Sequence, residues 1–119
     1  MSSDEEKAFL ENETKLDEDF PPNEIHFCIA MDYEDLDKKV SDKKEILIVQ
    51  KYTCYCYDDY PRQSNYFRIT DNKPITNRRV IEVLRDNNFD PKCNHRFLEC
   101  IYKKNDDPLS IEYEMFLGS

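Results

Sequence analysis

The run from Glu45 to Tyr57 constrains this chain more than any other stretch. Ile46, Leu47, Ile48 and Val49 lead into Lys51-Tyr52-Thr53-Cys54-Tyr55-Cys56-Tyr57 without a glycine or a proline. β-Branched and aromatic side chains lose rotamer freedom in a helix and suit a pleated, part-buried surface. The run therefore predicts a long strand. Asp58 to Asn65 supplies turn chemistry, with Pro61 barring a continuous ladder, and Tyr66 to Thr70 returns as a shorter strand. The result is a hairpin whose tip is well placed to touch another molecule.

Around this hairpin the patterning is that of a small α+β domain. Glu24 to Asp32 predicts a strand with Ile25, Phe27, Ile29 and Met31 on one face and His26, Cys28 and Ala30 on the other. Two uncharged faces suit the middle of a sheet, which makes His26 a core imidazole. The charged stretch Tyr33 to Lys44 fits either one helical turn through Leu36 and Val40 or a solvated loop. The helix follows: Thr76 as N-cap, Ile75 stapled to Val80, and Val80, Ile81 and Leu84 as its buried stripe. Asn87-Asn88 and Asp90-Pro91 end it. Arg96 to Lys103 and Leu109 to Leu117 are the last two strands, joined through Asn105-Asp106-Asp107-Pro108. In the second, Leu109, Ile111, Tyr113, Met115 and Leu117 alternate with Ser110, Glu112, Glu114 and Phe116. The expected order is β-β-β-α-β-β: one antiparallel sheet of about five strands with one helix across a face.

Charge divides the chain into an arm and a domain. Residues 1–22 hold eight carboxylates against Lys7 and Lys15, so they carry −6 of a net −9 over 119 residues. Phe9, Leu10, Leu16 and Phe20 are the large apolar groups of this arm, and Pro21-Pro22 closes it. It reads either as a flexible solubilising segment or as an acidic amphipathic helix docking on a partner or on its own domain. Residues 23–119 form the single α+β domain. A sequence pI near 4.7 argues against duplex nucleic acid, which is bound chiefly by neutralising phosphates. No apolar run suits a membrane span or a secretion signal, and the lone glycine excludes a glycine-rich phosphate loop.

Five cysteines, an odd count with no secretion signal, suggest free thiols in a reducing compartment. They are Cys28, Cys54, Cys56, Cys93 and Cys100, and the simplest reading packs them as small apolar residues. Cys54 and Cys56 would share a strand face about 6.6 Å apart. Together with Cys93 and His95 they could close a structural Cys₃His zinc site. Cys93-Asn94-His95 also places thiol, amide and imidazole together, the residue types of a thiol hydrolase. An Asn-His turn explains that run equally well, and no catalytic residue or cofactor is assigned. Glu99, Glu112 and Glu114 are the carboxylates on rigid elements, and an exposed cross-strand face accounts for them.

The aromatic and Arg content of the hairpin points to recognition. Tyr55, Tyr57, Tyr60 and Tyr66 cluster there with Arg62 and Arg68, the composition of a protein–protein interface core. The same mixture could stack single-stranded bases, and rings that merely cover the sheet are the plainer alternative.

Ile75 to Leu84, then Asn88-Phe89-Asp90-Pro91-Lys92-Cys93-Asn94-His95-Arg96-Phe97-Leu98-Glu99, and finally Tyr113 to Ser119, resemble small uncharacterised proteins of giant DNA viruses of the mimivirus-like group. The resemblance spans about the last 45 residues, with Cys-Asn-His-x-Phe-Leu-Glu as its most specific piece. It implies a source, with host cytoplasm or virion as the setting. It implies no mechanism, and it directs attention to Cys93, Asn94, His95 and Arg96. The reading that follows is a non-enzymatic protein that binds a protein partner or itself through the hairpin face. A free edge at Leu109 to Leu117 is a second route to self-association.

Overall fold

The computed structural model describes residues 3–50, 65–91 and 95–118. Its elements are α1 (Ser3–Asp19), β1 (Cys28–Ile29), a 3-10 turn (Tyr33–Asp37), β2 (Glu45–Gln50), β3 (Asn65–Thr70), α2 (Asn77–Asp86), β4 (Phe97–Lys103) and β5 (Glu112–Gly118). The α+β class stands, with two corrections. Among the described residues there are two α-helices, because the acidic arm is helical from Ser3 to Asp19. The sheet is mixed, in the order β1-β4-β5-β2-β3. The β2–β3 and β4–β5 pairs are antiparallel, whereas β1 runs parallel to β4 and β2 parallel to β5. The two antiparallel pairs are local and leave a mark in the sequence. The parallel contacts join distant segments and have no local signature.

Strand boundaries move for identifiable reasons. Only Cys28 and Ile29 of the stretch from Glu24 to Asp32 enter the sheet, and they form its edge rather than its middle. Phe27 and Met31 still reach the core, but His26 is exposed, which corrects the core-imidazole expectation. Cys28 and Cys100 are exposed free thiols rather than core fillers. At the other end, a polar turn takes up the first residues of the last predicted strand. Asn105 Oδ1 accepts from the Asp107 amide and Asp107 Oδ1 from the Leu109 amide, leaving Leu109 84% exposed and β5 starting at Glu112. β5 lies between β4 and β2, paired with β4 from Tyr113 to Gly118 and with β2 at Glu112 and Tyr113, so it is not the free edge expected there.

One core fills the space between the sheet and the helices. Ile46 and Ile48 of β2, Ile69 of β3, Leu98 of β4 and Tyr113 and Met115 of β5 meet Val80, Ile81 and Leu84 of α2. A bulge between Leu98 and Cys100 lets Leu98 and Ile101 share the core side. Thr76 caps α2 as its residue type suggests, its Oγ1 accepting from the Arg79 amide at 3.2 Å. Asn88 ends the helix in the left-handed region at φ 55°, which asparagine tolerates better than other non-glycine residues. The 3-10 turn places Leu36 at the centre of the same core.

The acidic arm joins this core through its last turn. Leu16 and Phe20 are each 3% exposed, while Phe9 and Leu10 point to solvent. Polar bonds fix the docked end. Asn12 Oδ1 accepts from the Tyr33 amide at 2.6 Å, and the Tyr33 hydroxyl donates to Asp19 at 2.8 Å. Arg78 of α2 reaches Asp19 at 2.6 Å and Asp37 at 2.9 Å. The guanidinium, with help from the Tyr33 hydroxyl, holds the Asp19 carboxyl below its ordinary range, and it does the same to Asp37. The carboxylates, Asp37 foremost, in turn strengthen the protonated guanidinium.

Candidate functional site

Strand alternation assigns each side chain to one of two sheet faces. The first face carries the core and is covered by α2, α1 and the 3-10 turn. The second carries Cys28 of β1, Phe97, Cys100 and Tyr102 of β4, and Glu112, Glu114 and Phe116 of β5, with Leu47 and Val49 of β2 and Tyr66 and Arg68 of β3 beyond them. Neither α-helix crosses it. Over β4 and β5 it is open: Phe97 is 41% exposed, Tyr102 44% and Phe116 52%. On β2, Val49 is buried, while its cross-strand neighbour Tyr66 is 63% exposed.

The register makes a patch of these residues. Cys28 lies beside Phe97, Cys100 opposite Phe116 and Tyr102 opposite Glu114. Directly opposed Cβ atoms sit about 5 Å apart, so the aromatic rings and the two thiols form contiguous surface. A cross-strand hydrogen bond of 2.8 Å from the Tyr102 hydroxyl to Glu114 fixes that ring, and the neighbouring carboxylate pushes the Tyr102 hydroxyl's pKa up. Lys104 stands 3.8 Å from Glu112 at the rim. The chain's one glycine, Gly118, ends β5 opposite Phe97, and the Glu99 carboxyl occupies the space that a Cβ there would fill.

Two of the residues expected at a partner face are on this side of the sheet. Tyr66 is exposed, and Arg68 lies opposite Leu47 with its Nε 3.0 Å from Glu45. Tyr55, Tyr57, Tyr60 and Arg62 lie outside the described residues, as do Cys54, Cys56, Cys93 and Asn94. Of the possible zinc ligands only His95 is described, half-buried ahead of β4. Among the described residues no group of three or more His, Cys, Asp or Glu side chains could hold a metal ion. Arg96 has a structural job: its Nη2 donates to the His26 carbonyl at 2.6 Å, tying β1 to the start of β4.

Phe97, Tyr102 and Phe116 are the members of the patch that sequence reasoning passed over. Phe116 did carry a signal, as the large apolar residue on the polar side of an alternating strand. Phe97 and Tyr102 carried none, because the bulge at Glu99 changes which residues of β4 share a face.

The patch combines flat aromatic area, the exposed thiols of Cys28 and Cys100, and a carboxylate rim in which Glu114 accepts from the Tyr102 hydroxyl. Among the described residues no helix is long and apolar enough to cross a membrane. Compared with family models, curated proteins and solved structures, the chain matches none.

Proposed function

We propose that this chain is a non-enzymatic protein-binding module whose contact surface is the open face of β4 and β5, extended by Tyr66 and Arg68. The observation that carries the reading is the exposure of Phe97, Tyr102 and Phe116 on adjacent, rigid strands. Aromatic side chains supply large contact area with only two rotatable bonds each, so they lose little entropy on binding and dominate interface energetics. Strands fix their spacing, which keeps the surface pre-organised. The carboxylates of Glu112 and Glu114 on the same face repel phosphate, favouring a protein partner over single-stranded nucleic acid.

The partner is another protein or a second copy of this chain. We place its work in host cytoplasm or virion, on the C-terminal resemblance to giant-virus proteins and on the free thiols Cys28 and Cys100. The test combines light scattering of the pure chain with capture by the immobilised chain from infected-cell lysate, using wild type and Phe97→Ser/Phe116→Ser. A dimer or a captured partner that the double variant loses, with melting unchanged, supports the reading. Identical behaviour of the two proteins overturns it.

A further inference from the structure

The β1 end of the sheet lies away from β2 and β3. β1 has β4 on one side and, among the described residues, no strand on the other. Its amides at Cys28 and Ala30 donate to the carbonyls of Arg96 and Leu98, each at 2.8 Å. Alternation then turns the N–H and C=O of Ile29 outward, where they make no hydrogen bond among the described residues. Beside this edge runs a groove of about 130 Å³ between β1 and α1. Its floor is apolar, from Leu16, Phe20, Ile25, Phe27 and Ile29. Its α1 wall carries Glu13 and Asp17, four residues apart and therefore on one helix face. Neither carboxylate forms an ion pair among the described residues.

We propose that this groove accepts an extended, cationic segment of a partner protein as an added strand on the edge of β1. Main-chain pairing to Ile29 sets the direction of the segment, apolar side chains at alternate positions enter the groove, and a Lys or Arg reaches Glu13 and Asp17. This is strand addition, in which backbone bonds give affinity and alternate pockets give selectivity. The charge complementarity chooses the occupant: a basic segment relieves the repulsion between Glu13 and Asp17, whereas the acidic arm of a second copy would bring carboxylates to carboxylates.

The test is fluorescence anisotropy with a labelled peptide alternating Val and Lys over seven residues, added to the full chain. Saturable binding is expected. It should weaken at least tenfold with Glu13→Lys/Asp17→Lys, with Glu replacing Lys in the peptide, or with alternate peptide amides methylated. It should be unchanged in Phe97→Ser/Phe116→Ser, which separates this edge from the open face. Both acidic positions face solvent or the groove, so the charge reversal leaves folding intact, and melting of the free variant checks this. Absence of binding, or binding indifferent to charge reversal and methylation, overturns the proposal.

Discussion

Replacing Phe20 by alanine asks whether the acidic arm belongs to the domain. Phe20 is 3% exposed, at the end of α1, with the Arg85 guanidinium 5.6 Å from its ring centre. Removing the ring forfeits about 100 Å² of apolar burial, or ~2.5 kcal/mol at ~25 cal/mol per Å². The cavity left behind brings the cost of a Phe→Ala change in a rigid core to about 3–5 kcal/mol. The site lies at the margin of the core, where α1 can shift to fill space, so the lower end applies: about 3 kcal/mol. For a chain of this size that is a fall in Tm of roughly 12 °C. Thermal and urea unfolding followed by circular dichroism measures it. Phe9→Ala, at a position 64% exposed, is the matched control and should stay within about 0.5 kcal/mol of wild type. If Phe20→Ala melts with wild type, α1 is not packed on the domain and the arm is only a solubilising tail.

Two further perturbations probe the supports of the fold. Thr76→Ala removes the cap of α2 and should cost about 1 kcal/mol in urea unfolding, with Thr76→Ser recovering most of it. Arg78→Ala should cost about 1–2 kcal/mol near neutral pH, because its partly exposed pairs are worth less than fully buried ones. Asp19 and Asp37 have lowered folded-state pKa values, so their contribution is fully present above the unfolded carboxylate range and is lost as pH falls below about 3.8. The gap between wild type and Arg78→Ala should therefore close in unfolding curves taken at progressively lower pH. A gap independent of pH would show that the guanidinium acts by packing alone.

What the sequence made legible follows the range of the interactions involved. Thr76, Val80, Ile81 and Leu84 specify α2 through contacts one turn apart, and each does what its position implies. The alternation of Tyr113, Met115 and Leu117 against Glu112, Glu114 and Phe116 gave both faces of β5 correctly. Pairing partners were another matter. That β2 lies parallel to β5, with Ile48 beside Tyr113, depends on segments more than sixty residues apart, and no local pattern encodes it. The arm was ambiguous for a related reason. Its charge suits a solvated tail, whereas Leu16 and Phe20 matter only once Tyr33, Arg78 and Arg85 have been brought beside them. The open face was half legible: Tyr66 and Arg68 stood out by composition, Phe116 was passed over although its place on the polar side of an alternating strand marked it, and the bulge at Glu99 hid Phe97 and Tyr102.

Photo-cross-linking decides whether the open face of β4 and β5 meets another protein, with a photoreactive amino acid placed at Phe116 or, for comparison, at Glu82 on the outer side of α2. Irradiation in cell lysate should give discrete adducts of this chain from position 116, absent from position 82, and abolished when Phe97→Ser accompanies the probe. Equal labelling from both positions, or none from 116, would contradict the claim.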